Sequence, residues 1–129
     1  MPKPEYCVEL PSITAGVDTP VHALLRSASR PTAIVVSDDI LALTLERICT
    51  ETGLSIPSDL SILSFNNSLF ARLTSPQLTS IDINSCQLGI EAAAQMISHI
   101  ENPELPATKI LVPHQLIERD SCARPVSHS

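Results

Sequence analysis

The sequence predicts an α/β domain built on a parallel sheet, and three features of residues 31–67 carry that expectation. The apolar run Ala33-Ile34-Val35-Val36 stops at Ser37-Asp38-Asp39, a helical pattern follows to Gly53, and a second apolar run over residues 60–65 ends at Asn66-Asn67. Strands apolar at consecutive positions read as buried on both faces, which favours parallel pairing through a right-handed crossover helix. Ligands of such sheets gather beyond the carboxyl ends of the strands. Both ends carry short polar side chains here, so Asp38 and Asn66 are the candidate binding residues.

The other elements follow in order. Residues 5–10 alternate weakly between Pro4 and Pro11 and predict a short strand, and residues 13–19, with Gly16, a loop. Asp18 or Thr19 can cap a helix over residues 20 to about 29 whose first residue is Pro20 and which Pro31 ends, burying Val21, Leu24, Leu25 and Ala28. Ser37 or Asp38 caps the central helix, and Asp39 in its first turn suits the positive end of the helix dipole. Ile40, Leu41, Leu43, Leu45 and Ile48 give that helix an apolar surface wider than one stripe, so part of it is expected to face a partner.

Residues 68–75 predict a one-turn or irregular segment closed by Pro76, and residues 78–83 a strand. Asn84 or Ser85 then caps a helix whose face is Leu88, Ala92, Met96, Ile97 and Ile100, ending near Asn102-Pro103. Residues 109–112 and 114–118 are strand-like around Pro113, and the polar stretch from Asp120 onward is expected to fray.

Composition excludes several functions. A chain of 129 residues, 43% hydrophobic, suffices for one domain, although Tyr6, Phe65 and Phe70 are its only aromatic residues. A net charge of -6 without a basic cluster argues against a nucleic-acid surface, and no apolar stretch approaches the roughly 20 residues that span a membrane. Cys7, Cys49, Cys86 and Cys122 form no CxxC pair. Cys49 and Cys86, on expected helices, read as small buried hydrophobes, and a reducing, cytoplasmic setting is expected. The amino terminus lacks the pattern of a secretory signal and enters a strand-capable segment abruptly, which suggests a piece of a longer chain.

Catalysis finds little support. Gly16, Gly53 and Gly89 make no phosphate-binding loop, and no GxSxG elbow places a nucleophile. His22, His99, His114 and His128 share no ligand spacing, so neither metal nor cofactor is expected. Asp38 can cap a helix and also accept from ligand hydroxyls. Asn66 can form a turn or both donate to and accept from a sugar hydroxyl, Asn67 being the better turn-former. Leu69, Phe70 and Leu73 suit either a core or an exposed interface patch.

The segments PTAIVVSDDILAL, GLSIPSDLSILSFNN and LTSPQLTSIDI, with Leu88-Gly89 and LIERDSC, resemble the effector-binding domain of lactose/galactose-repressor family transcription regulators, in that family's order and spacing over residues 31–123. The Phe-Asn-Asn-Ser run and the LIERDSC ending look most like the family's maltose-operon repressors. The resemblance implies a periplasmic-binding-protein-like fold: two Rossmann-like lobes closing on a small molecule, preceded by a helix-turn-helix domain. This chain would supply the carboxyl-terminal lobe over about residues 5–83, a segment crossing to the other lobe over about 84–119, and a tail over 120–129. Most of the amino-terminal lobe would lie outside it.

The same resemblance places Asp38 where many members have Asn, and Asn66 where Asp is usual. Ser64 and Phe65 stand in place of the common Gly and Tyr. It also implies a homodimer surface, assigned here to Leu41, Leu43, Leu45, Leu69, Phe70 and Leu73. The expected function is therefore the sugar-binding and dimerisation region of a bacterial repressor that meets operator DNA only through a helix-turn-helix domain absent from this chain. Sugar binding between the lobes would shift the spacing of the DNA-binding heads. A transporter's sugar-binding protein is the alternative on the same fold, and an α/β enzyme a third.

Overall fold

The computed structural model describes residues 4–10, 12 and 15–125. Pro11, Ile13, Thr14, His128 and the rest of 126–129, on which some of the expectations fell, lie outside the described residues. A 3-10 turn at Pro4–Tyr6 leads through irregular chain to helix α1, Asp18–Arg26. Strand β1 (Ala33–Val35), helix α2 (Asp39–Thr52) and strand β2 (Ser61–Phe65) follow. Next come α3 (Leu69–Leu73), β3 (Thr79–Asp82), the long α4 (Ser85–Glu101) and β4 (Gln115–Ile117). The strands form one sheet in the order β1-β2-β3-β4, with β1, β2 and β3 parallel and β4 antiparallel to β3.

The central unit forms as its residues dictate. Asp38 caps α2, its Oδ1 accepting the Leu41 N–H at 2.9 Å. At the other end Gly53 takes a φ of 74°, in the left-handed region, and donates its N–H to Cys49 and Thr50 carbonyls. α2 lays Leu41, Ala42, Leu45, Ile48 and Cys49 against Leu60 and Ile62 of the β2 segment, and Val17, Val21 and Leu25 of the α1 segment close the same core. No helix of the described residues is long and apolar enough to cross a membrane.

Several expectations are corrected by packing that the sequence does not display. Residues 5–10 form no strand: a 3-10 turn occupies their start and irregular chain the rest. β1 is not buried on both faces, since Ala33 is exposed and Val35 is 63% exposed. Residues 109–112 are irregular, and the last strand is confined to Gln115–Ile117. α1 runs from Asp18, two residues before Pro20, only to Arg26; Ala28 lies beyond it and is exposed, and Leu24 is half-buried.

The helix over Ser85–Glu101 forms, but among the described residues it buries no side chain; Ile90, Met96, Ile97 and Ile100 are all more than half exposed. Cys86, at its start, is exposed with it, whereas Cys49 is fully buried as expected. Fraying from Asp120 onward does not hold at Ser121. Ser121 is fully buried, its Oγ donating to the Ile62 carbonyl at 2.6 Å and accepting the Thr79 N–H at 2.8 Å, while its own carbonyl accepts the Ile62 N–H.

Candidate functional site

The parallel register sets the site. Val35 pairs with Leu63, and Phe65 with Ile81. Asp38 lies three residues past Val35 and Asn66 three past Leu63, so the two sit past the carboxyl ends of adjacent parallel strands. By the same count Asp82, at the end of β3, stands beside Asn66. Adjacent strands lie about 4.8 Å apart, so the three positions share one rim of the sheet. Asp38 is half-buried and Asn66 exposed.

Asp38 divides its carboxylate between structure and surface. Oδ1 caps α2, and Oδ2 accepts from the Ser37 hydroxyl at 3.3 Å. The helix amino terminus behind it carries positive potential, which suits an electron-rich ligand oxygen. Asn66 adopts φ 93° and Asn67 φ 46°, two successive residues in the left-handed region, while the Asn66 N–H donates to the Ile81 carbonyl at 2.9 Å. That conformation turns the chain sharply off β2 and leaves the Asn66 amide at the rim.

Asn67 works differently from its neighbour. Its Nδ2 donates to Asp82 Oδ2 at 2.9 Å and its Oδ1 accepts from Arg119 Nη2 at 2.5 Å. Arg119 also donates from Nη1 to the Leu78 carbonyl at 2.6 Å. Hydrogen bonds from the Asn67 amide and then from the Asn84 N–H hold the Asp82 carboxyl below the usual carboxylate range. The turn after β2 is thereby joined to the end of β3 and to the chain leaving β4.

Asp39, expected to serve the helix dipole in the first turn of α2, is only 2% exposed. Its Oδ1 accepts from the Ser64 and Ser80 hydroxyls at 2.5 and 2.9 Å, and its Oδ2 from the Ser68 N–H at 2.6 Å. Asp39, Asn67, Asp82 and Arg119 were all missed as site residues in the sequence. For Asp82 a signal existed: it ends the third parallel strand, and the carboxyl-end rule that singles out Asp38 and Asn66 singles it out too. Arg119 is 52 positions from Asn67, and no local pattern connects them.

A broad concavity lies elsewhere. About 860 Å³ in volume, it lies against β1 between Tyr6, Val8 and Leu10 on one side and Val21, Leu24 and Leu41 on the other, and it includes neither Asp38 nor Asn66. Its walls are apolar and converge few polar groups, so it marks the uncovered face of β1 better than a site for a polar ligand.

Of the six residues assigned to a partner surface, two are withdrawn. Leu41 and Leu45 are 8% and 2% exposed, because their side of α2 faces the sheet. Leu43 is half-buried, while Leu69, Phe70 and Leu73 are 68%, 45% and 69% exposed and lie on α3, which packs beside α2.

Comparison with known proteins agrees with this architecture. A family profile described as a periplasmic binding protein-like domain matches residues 3–122. The chain is 35% identical over 103 residues to the HTH-type transcriptional repressor PurR of Pectobacterium carotovorum subsp. carotovorum (strain PC1), covering 80% of this chain and 30% of the repressor. Among solved structures, a LacI transcriptional regulator described as putative, from Bacillus cereus subsp. cytotoxis NVH 391-98, is similar with a TM-score of 0.79 and 37% identity, covering 83% of this chain and 38% of that one. A LacI family regulator from Enterococcus faecalis V583 with bound ribose is similar with a TM-score of 0.78 and 34% identity, covering 92% of this chain and 43% of that one. This chain thus spans less than half the length of each of these relatives. It belongs to the periplasmic binding protein-like domain family, in the form carried by LacI-family transcriptional regulators.

Proposed function

We propose that the chain is the effector-binding and dimerisation region of a bacterial DNA-binding transcriptional repressor whose small-molecule effector is a sugar. The observation that carries this reading is the shared rim: a carboxylate at Asp38 and an amide at Asn66, past the carboxyl ends of neighbouring parallel strands. A carboxylate accepts hydrogen bonds from hydroxyls and an amide both donates and accepts, so the pair suits a polyhydroxylated ligand. The Enterococcus faecalis relative, whose structure holds ribose, supports a sugar. Within the family the effector is proposed to be of the maltose class, on the likeness of the 65–68 and 116–122 segments.

In this reading the rim is one wall of a cleft, and the other wall belongs to a second lobe. The chain crosses to that lobe near residues 83–85, and because β4 (Gln115–Ile117) is already paired with β3 in this lobe's sheet, the return falls before Gln115 rather than near Arg119, so residues 84–114 contribute to it. The exposed apolar stripe of α4 and the scarcity of buried residues over 102–114 support that division. Leu43, Leu69, Phe70 and Leu73 form the homodimer surface. Operator DNA is met only through a helix-turn-helix domain beyond this chain, acting in the cytoplasm. The matched relatives are transcriptional regulators, which favours this reading over a transporter's binding protein and over an enzyme.

The test is calorimetry of the full-length protein against maltose, maltotriose, D-ribose and, because an amide also pairs with a base edge, adenine and guanine. A sugar is expected to bind, and Asn66→Gly, which deletes the amide but keeps the left-handed backbone, should weaken it about tenfold. Asp38→Ser should weaken it similarly while keeping a helix cap. Binding of a nucleobase with no response to any sugar would overturn the sugar assignment. Unchanged affinity in both variants would overturn the site.

A further inference from the structure

We infer that Asp39 is the positioning residue of this rim: its buried carboxylate fixes the left-handed Asn66–Asn67 turn and so sets where the Asn66 amide points. The inference rests on the reading that Asn66 contacts the effector, and it assigns the control of that contact to a residue that is almost wholly buried.

A carboxylate 2% exposed is unfavourable unless donors surround it, and Asp39 has three. All three belong to the chain on either side of the turn or to the strand beside it. The Ser64 hydroxyl, on β2, donates from two residues before Asn66, and the Ser68 N–H from directly after Asn67. The Ser80 hydroxyl donates from β3, and that same oxygen accepts the Asn67 N–H at 3.0 Å. A continuous line of donation therefore runs from Asn67 through Ser80 to Asp39.

The sheet gives up apolar volume for this arrangement. Ser64 and Ser80 are both fully buried on parallel strands, where aliphatic side chains would otherwise pack. Two consecutive non-glycine residues at positive φ do not persist without surroundings that hold them. Asp39 holds the backbone from beneath, and Arg119 and Asp82 hold the Asn67 side chain from the flank. The exposed Asn66 side chain has no hydrogen bond among the described residues, so the turn fixes its backbone and leaves its amide available.

The test is backbone amide exchange by NMR on this chain without ligand. Asp39→Asn preserves the shape but removes the charge and one acceptor. Exchange at Asn67 and Ser68 should accelerate about 10- to 100-fold relative to Val36 and Ile62, the range set by one charge-assisted hydrogen bond. Val36 and Ile62 are suitable references because their N–H groups bond the Leu63 and Ser121 carbonyls, away from the carboxylate. Ser80→Ala, which severs the relay by one hydroxyl, makes the same measurement if Asp39→Asn does not fold.

A folded variant in which Asn67 and Ser68 exchange as in the parent would overturn the inference. D-ribose titration of the full-length protein separates the two claims. Asp39→Asn should weaken binding together with turn protection, whereas Asn66→Gly should weaken binding with protection of Ser68 intact. If Asn66→Gly leaves D-ribose affinity unchanged, the assignment of Asn66 to the effector falls, and the exchange ratio still decides the role of Asp39.

Discussion

Arg119 Nη2 donates to Asn67 Oδ1 at 2.5 Å, joining the chain that leaves β4 to the turn that leaves β2. The guanidinium spans two acceptors at once, the second being the Leu78 carbonyl at 2.6 Å, and the Arg119 N–H adds a bond to Thr79 Oγ1 at 2.9 Å. Arg119→Ala should therefore destabilise the chain by about 1.5–3 kcal/mol, since it strips a charged donor from two partly buried acceptors. Arg119→Lys should recover less than half of that, because one ammonium cannot reproduce the planar fork. Urea denaturation measures both. A loss under about 0.5 kcal/mol in Arg119→Ala would show that water replaces the guanidinium without cost.

Glu46 gives the chain a pH dependence. Burial raises its carboxyl from an ordinary 4.5 to about 7, and one of its carboxylate oxygens is buried without a hydrogen-bond partner. The folded chain keeps this proton to higher pH than the unfolded chain does. The associated stability is complete below about pH 4.5 and is lost as pH rises through 7. The side chain is half-exposed, so solvent screening reduces the effect to on the order of 1 kcal/mol between pH 5 and pH 8. Thermal melts should show the fall in the parent chain, and Glu46→Gln should flatten it. An equal fall in Glu46→Gln would assign the dependence to another group.

The β1, α2, β2 unit was legible because its signals are local: two apolar runs, a capping Asp38 and a stopping Gly53, all within the single stretch from Ala33 to Phe65. Asp38 and Asn66 follow from the same segment once parallel pairing is assumed. Asp39 was legible only as a helix-start residue. Its role depends on Ser64, Ser68 and Ser80, which lie 25 to 41 positions away. Burial failed the local reading for the same reason. Leu41 and Leu45 share an apolar helix with Ile40, and only the placement of the sheet decides which of them faces inward. The stripe on α4 has the spacing of one face of a helix, and periodicity alone does not tell whether anything covers such a face.

Ser121 sits in a stretch whose composition resembles a tail, yet it bonds β2 and β3 together. Its hydroxyl satisfies the Ile62 carbonyl and the Thr79 N–H inside the fold. Ser121→Ala leaves both backbone groups buried with one partner fewer and should cost about 1–3 kcal/mol. Ser58→Ala, at an exposed serine whose hydroxyl has no hydrogen bond among the described residues, serves as the control and should change stability by less than about 0.5 kcal/mol. Equal midpoints for the two variants in guanidinium would mean that the Ser121 hydroxyl contributes no net stability.

Leu69, Phe70 and Leu73 expose apolar side chains on one short helix beside α2, and Ile40 at the start of α2 is 38% exposed. Surface apolar residues scattered singly need no explanation, but a contiguous group invites a partner. In the proposed homodimer these residues meet their copies across a two-fold axis, so each substitution is felt twice. Leu73→Glu should convert the full-length protein from dimer to monomer in sedimentation velocity at micromolar concentration, without lowering its melting temperature by more than a few degrees. The stripe on α4 is the competing apolar surface, with Ile97 56% exposed. Ile97→Glu separates the two: if it abolishes association while Leu73→Glu leaves the dimer intact, the dimer surface has been placed on the wrong helix.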